Sequence, residues 1–216
     1  METINKVPKL LLIVDHSSAG SNERFHAVYH ACVESIEHLT NVAIQLRTKL
    51  KDSTQENALI KPLIEHHRTH HSEMPLHINA LSADLDDDLH AHFSRARWRS
   101  SPDTLSRRFS ASLDQPDELK ALLKHGRPEF LVVGPVAKPR SKSRKAMTSE
   151  TLGQLRESQF PIIGIGGVSP KGISEGSIPR CDGYAILTPV LNALDDPAKW
   201  DQELQAWKPF LHGETR

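Results

Sequence analysis

Cysteine is scarce in this sequence: Cys32 and Cys181 are the two in 216 residues, far apart and without Cys-x-x-Cys spacing. That excludes a disulfide scaffold and a cysteine metal motif, and it points to a reduced protein. Net charge is absent as well. The 27 lysines and arginines balance 27 aspartates and glutamates, so the global balance gives no attraction for nucleic acid or an acidic membrane surface. No apolar run approaches the about 18 residues that a membrane-spanning helix needs. The N-terminal residues lack a long apolar core and a cleavage signature, and a cytoplasmic protein is expected. There is no internal repeat and no low-complexity linker, so residues 1–216 are expected to form a single domain.

What the chain does have is alternation. Short apolar runs recur at Leu10–Asp15, Val42–Arg47, Leu76–Asn79, His90–Phe93, Arg108–Ser112, Phe130–Pro135, Ile162–Gly167 and Gly183–Thr188. Helical stretches separate them at Asn22–Leu39, Ser53–His71, Gln115–His125, Thr148–Ser158 and Asp195–Leu211. This is the pattern of βα units feeding a parallel sheet. Runs such as LLLIVD and FLVVGP show little polar alternation, which suits strands covered on both faces. The expectation is an α/β protein, a single-domain (β/α)8 TIM barrel with shortened units three, four and seven, because Ser82–Leu89 and Ser101–Arg107 leave room for one or two helical turns. Asp114 ahead of Gln115 and Pro116 reads as a helix start, and Ser149 as half of a capping box.

In such a barrel the site lies at the C-terminal strand ends, with phosphate commonly held after strands seven and eight. That rule selects Gly166 and Gly167, which allow bare N–H groups to approach an anion, and Thr188 with its hydroxyl. A tight turn explains the glycine pair equally well. After strand six, Gly134 leads into a loop with Lys138, Arg140, Lys142, Arg144 and Lys145, where Ser141 and Ser143 add hydroxyl donors. Such a loop can close over a diphosphate. Gln45, Arg47 and Lys49 alternate at the end of strand two and are expected to share a face at the mouth, either as a ligand site or as a rim of ion pairs.

Three further features read more plainly as structure. His66, His67, His70 and His71 form i, i+4 pairs that can bind metal, yet no third ligand is evident. His16 beside Asp15 follows strand one and is expected to be an ordinary loop histidine. The acidic run from Asp84 to Asp88 reads as a solvated helix start rather than a divalent-ion site.

The chain resembles the thiamine phosphate synthase and thiazole tautomerase (TenI) superfamily. The resemblance is carried by AIQLRTK at 43–49, by the strand-six VGPV with its Lys and Ser loop, and by PIIGIGGVSP, CDGYAILTPVL and DDPAKW. It implies a transferase of thiamine biosynthesis that joins an aminopyrimidine diphosphate to a thiazole phosphate through a pyrimidine cation and releases diphosphate. By this resemblance Gln45 and Asn79 contact the pyrimidine, Arg47, Lys49, Ser110 and Lys142 the diphosphate, and Gly166, Gly167 and Thr188 the thiazole phosphate. Arg47, Lys49 and Lys142 are then the catalytic residues, and Mg2+ is the implied cofactor. The family's Asn-Asp-Arg after strand three is here Asn79, Ala80 and Leu81, and its second metal carboxylate falls on Ala96 or Arg97, so no metal ligand is assigned. The tautomerase histidine falls near Ala111 or Ser112, neither of which is a general base. Two alternatives follow: a non-catalytic thiazole-phosphate-binding protein, or another reaction on a small phosphorylated substrate using Asp15 or His16. A small phosphorylated partner is expected, with no nucleic acid and no membrane, and the oligomeric state is left open. A carboxylate from elsewhere, Asp84 or Asp103, is the candidate to restore a metal site near Asn79.

Overall fold

The computed structural model describes residues 7–79, 89–100, 108–138 and 145–212. In chain order it contains β1 (Leu10–Asp15), α1 (His16–Ala19), α2 (Asn22–Ile36), β2 (Val42–Arg47), α3 (Ser53–His70) and β3 (Leu76–Asn79). There follow β4 (His90–Phe93), α4 (Arg95–Ser100), β5 (Phe109–Leu113), α5 (Glu118–Leu122), β6 (Leu131–Val133) and α6 (Ser149–Glu157). Last come β7 (Ile162–Ile165), α7 (Pro170–Ser174), β8 (Gly183–Ile186), a 3-10 turn (Thr188–Leu191), α8 (Asn192–Asp195) and α9 (Pro197–Leu211). The strands follow one another in sequence order in a closed barrel, β1 to β8. This is the expected (β/α)8 class. Among the described residues, no helix is long and apolar enough to cross a membrane.

Two compact units are distinguishable, 1–89 with 186–216, and 90–185. In the first, β1 and β2 pair in parallel from Leu10↔Val42 to Asp15↔Arg47, and β2 pairs with β3 from Ile44↔Leu76 to Arg47↔Asn79. All six residues of β1 are buried. α2 begins where the Ser21 hydroxyl accepts from the Arg24 N–H, and it buries Phe25, Val28, Cys32, Val33 and Ile36. The Asp52 carboxylate caps α3 by accepting from the N–H groups of Thr54 and Gln55. α9 turns Trp200, Leu204, Trp207 and Leu211 inward, and Trp200 Nε1 donates to Ser35 Oγ at 2.7 Å. Burying each such side chain contributes about 1.5–3 kcal/mol.

In the second unit β4 to β8 run parallel, with Ala91↔Phe109, Ser112↔Val132, Val132↔Ile163 and Gly164↔Tyr184 among the aligned pairs.

Several sequence boundaries shift for identifiable reasons. Strands six, seven and eight end earlier than expected, at Val133, Ile165 and Ile186. Pro135 has no N–H to continue a ladder, Gly166 and Gly167 take φ of 89° and 69°, and Leu187 at ψ −61° turns the chain into a 3-10 helix. α2 stops at Ile36 rather than Leu39, and α5 covers only Glu118–Leu122. Asp114 does not cap α5. Instead Glu118 Oε2 accepts from the N–H groups of Asp114 and Gln115, while Asp114 pairs with Arg95 at 2.6 Å. The cap of α6 is Thr148, whose hydroxyl accepts from the Thr151 N–H, and not Ser149. Unit four places its helix directly after β4, at Arg95–Ser100. The stretch Ser101–Arg107, where the sequence leaves room for that helix, lies outside the described residues, as does Ser82–Asp88. α7 is short, at five residues.

Candidate functional site

At the ends of β1 and β2 the first unit gathers a charged cluster around Asp15. Its carboxylate is 3% exposed. The hydroxyls of Ser17 and Ser18 donate to Oδ2 at 2.6 and 2.7 Å, while Arg47 Nη1 and Lys49 Nζ lie 3.4 and 3.8 Å from Oδ1. Lys49 Nζ also donates to Ser17 Oγ at 3.0 Å. Burial pushes the Asp15 pKa up, but the two hydroxyls and two cations outweigh it and hold the carboxyl below its ordinary value. Two cations thus face one buried carboxylate.

The convergence of Arg47 and Lys49 does not come from strand alternation alone. β2 ends at Arg47, Thr48 is buried and donates its hydroxyl to Glu56 on α3, and Lys49 adopts φ 64°. A non-glycine residue in that region costs roughly 1–2 kcal/mol, so the turn that aims Lys49 at Asp15 is held by its surroundings.

Gln45, two residues before Arg47, is 2% exposed and its Oε1 has no hydrogen-bond partner among the described residues. It is aligned between Ile13 on β1 and His77 on β3. Asn79 shares the last cross-strand row with Arg47. Thr188 belongs to this unit too, exposed at the first position of the 3-10 turn. His16 is turned to structural use: its Nε2 lies 2.8 Å from Asn22 Oδ1, and its ring meets Phe25 edge-on.

The second unit holds Ser110, Gly134, Gly166 and Gly167. Ser110 is fully buried, and its hydroxyl lies 2.8 Å from His92 Nδ1. His92 Nε2 in turn lies 2.9 Å from Ser112 Oγ. The glycine pair packs tightly on the loop after β6. A Cβ on Gly166 would stand 2.8 Å from Pro135 Cβ, and one on Gly167 2.8 Å from the Lys138 carbonyl oxygen. A Cβ on Gly134 would lie 2.1 Å from the Ile165 carbonyl oxygen. Close backbone approach therefore explains all three glycines without a ligand. Among the described residues, the N–H groups of Gly166 and Gly167 make no backbone hydrogen bond, which leaves them as donors for an anion.

Lys138 and Lys145 flank the basic loop and are exposed. Lys142, Ser141 and Ser143 lie outside the described residues. A cleft of about 380 Å3 is lined by Asp114, Gln115, Gly134, Lys145 and Thr148.

Among the described residues, the segment after β4 offers arginines rather than carboxylates for a magnesium ion. After β4 come Arg95, Ala96 and Arg97, and Arg97 lies over the Phe93 ring, 4.6 Å from its centroid. The nearby carboxylates are used: Asp114 and Glu118 pair with Arg95 at 2.6 and 2.5 Å, and Glu118 also pairs with Arg99. Among the described residues no three histidine, cysteine or acidic side chains converge as a metal site. Ala80, the Asp84–Asp88 run and Asp103 lie outside the described residues.

Sequence reasoning passes over His92, Ser17 and Ser18. A histidine in the short strand HAHF gives no motif, and the two serines acquire meaning only once Asp15 is seen to be buried. Of the four histidines at and just after the end of α3, His67 is the one used in packing. His67 is buried, with Nδ1 2.9 Å from the Tyr29 hydroxyl and Nε2 2.7 Å from the Met74 carbonyl, and His66 stacks on His70. Neither cysteine is activated: burial pushes Cys32 up to about 12 and Cys181 up to about 11.

The strand order and the alternating helices define a parallel (β/α)8 barrel. No protein-family model matches the chain. A thiamine-phosphate synthase of Lactococcus lactis subsp. cremoris (strain SK11) is 31% identical over 97 residues, which is 44% of this chain and 44% of that protein. The match thus spans less than half of the relative's length. In fold, a thiamine phosphate pyrophosphorylase from Pyrococcus furiosus is similar over 96% of this chain and 97% of its own, with a TM-score of 0.64 and 18% identity. One from Bacteroides thetaiotaomicron covers 97% and 100%, with a TM-score of 0.56 and 12% identity. The sequence match over 97 residues and the shared barrel fold thus both point to proteins named as thiamine phosphate synthases or pyrophosphorylases.

Proposed function

We propose that the chain is a thiamine phosphate synthase-like transferase, one barrel domain that joins an aminopyrimidine diphosphate to a thiazole phosphate and releases diphosphate. The observation that carries this reading is the convergence of Arg47 and Lys49 on buried Asp15. When the bond to diphosphate breaks, its electron pair leaves with the diphosphate, and positioned cations stabilise the charge that develops. Arg47 and Lys49 take that role, with Lys142 assigned to it by the family resemblance. The buried Oε1 of Gln45 lacks a donor, a deficit of about 1–3 kcal/mol that the amino group of an aminopyrimidine would remove. Asn79, on the same row as Arg47, is assigned to the pyrimidine. By the family resemblance, Gly166, Gly167 and Thr188 are assigned to the thiazole phosphate.

No step is routed through Mg2+, because the described residues around β4 supply arginines where carboxylates are needed. That same observation favours a second reading, a thiazole-phosphate-binding protein without turnover. Incubating the purified chain with both precursors, with Mg2+ and with a chelator, separates the two. Thiamine phosphate in either condition supports the transferase. Thermal stabilisation by thiazole phosphate without product supports the binder.

A further inference from the structure

His92 and Ser112 carry no role in the reaction described above. His92 is 2% exposed and aligned with Ser110 across β4 and β5. Ser110 is fully buried, whereas Ser112, two residues on along the same strand face, is partly exposed. The hydroxyl that a ligand can reach is therefore that of Ser112. Ser110 holds the imidazole from behind through Nδ1 at 2.8 Å, and the imidazole holds Ser112 through Nε2 at 2.9 Å.

Hydrogen counting gives this chain of contacts a direction. A neutral imidazole offers one N–H and one lone pair. If Ser112 donates into Nε2, its hydrogen is spent on the ring and it presents only lone pairs outward. When the proton is on Nε2, Ser112 accepts from the ring, its own hydrogen is free for a ligand, and Ser110 donates to Nδ1. A doubly protonated ring also frees the Ser112 hydrogen, with Ser110 accepting. An anion near Ser112 selects the states with a proton on Nε2, and a ligand that donates hydrogen selects the reverse.

We propose that Ser112 is an additional donor to a phosphate oxygen and that His92, anchored by Ser110, is the positioning residue that turns the Ser112 hydroxyl toward it. This rests on the reading of the site as a phosphate-ligand site and adds two residues to it.

The test uses the full-length chain with inorganic phosphate and inorganic diphosphate as probes. Affinity is measured for the parent, Ser112→Ala, His92→Asn and the double variant, with the ring nitrogens of His92 followed by 15N NMR. Ser112→Ala is expected to weaken binding about tenfold, the loss of one charge-assisted hydrogen bond. Asn at position 92 keeps a group opposite Ser110 but none opposite Ser112, so His92→Asn should cause a similar loss and the double variant no further loss. Added anion should shift the His92 signals toward protonated Nε2. Unchanged affinity in Ser112→Ala, additive losses in the double variant, or a ring that keeps its proton off Nε2 with anion bound each overturn the His92–Ser112 role while leaving the wider reading intact. Absence of anion binding by the parent chain overturns both.

Discussion

Arg47 and Asp15 stand opposite each other in the β1–β2 register, with Arg47 Nη1 3.4 Å from the buried Asp15 Oδ1. The carboxylate is thus the fixed point around which Arg47, Lys49, Ser17 and Ser18 are arranged. Replacing Asp15 with Ala leaves two hydroxyls without their acceptor and two cations without their counter-charge. A loss of about 2 kcal/mol is expected in chemical denaturation, with a smaller loss for Asp15→Asn. Because the folded-state pKa of Asp15 lies below its unfolded value, its contribution is present above that unfolded value and disappears as pH falls through the folded one. The acid limb of the stability curve should be flatter in Asp15→Asn; identical acid limbs would contradict the arrangement.

Arg47→Ala removes a cation whose proposed role is realised as diphosphate leaves. The expected outcome is a fall in kcat/KM of tenfold or more, corresponding to more than about 1 kcal/mol of transition-state stabilisation, with a change in melting temperature smaller than that of Asp15→Ala. A variant with unchanged kcat/KM would place Arg47 in the rim of ion pairs only.

The glycines make a graded set. Gly167 has φ 69° and a Cβ there would meet the Lys138 carbonyl oxygen at 2.8 Å, so Gly167→Ala should cost about 1–3 kcal/mol. Gly153 lies inside α6, and a methyl group there would meet nothing within 4 Å, so Gly153→Ala should stabilise by up to about 1 kcal/mol. Equal effects at the two positions in thermal unfolding would argue against the packed loop.

The histidine group between α2 and α3 sets a pH dependence. Burial lowers the pKa of His67 below its ordinary 6.5, and burial together with neighbouring imidazoles lowers those of His30 and His66. Below 6.5 the unfolded chain takes up protons that the folded chain refuses, so stability should fall as pH drops from about 7 toward the lowered folded values. A urea midpoint lower at pH 5.5 than at 7.5 is expected, with a smaller difference in a His30→Ala, His66→Ala double variant. A midpoint that does not move between those pH values would contradict the assignment.

How much of this is legible in the sequence depends on what each residue leans on. LLLIVD and VAIQLR read as strands because their own apolar content fixes them, and both ranges match residue for residue. Strands six, seven and eight read too long from sequence, since their apolar runs continue past the backbone turns that end them at Val133, Ile165 and Ile186. Arg47 and Lys49 are visible as cations, but Asp15, their shared partner, belongs to a strand some thirty residues away and is joined to them only by the parallel register. His92 carries no spacing signal at all; its partners Ser110 and Ser112 sit on the next strand. Asp114 has the look of a cap and is instead taken by Arg95, a pairing between elements that local pattern does not encode.

In the proposed reaction the cations around Asp15 serve the departure of diphosphate. The most direct measurement is formation of thiamine phosphate from the aminopyrimidine diphosphate and thiazole phosphate at high enzyme concentration, comparing the parent chain with Arg47→Ala. Product from the parent and a loss of tenfold or more in the variant is the predicted result; no product from the parent under either magnesium condition would contradict it.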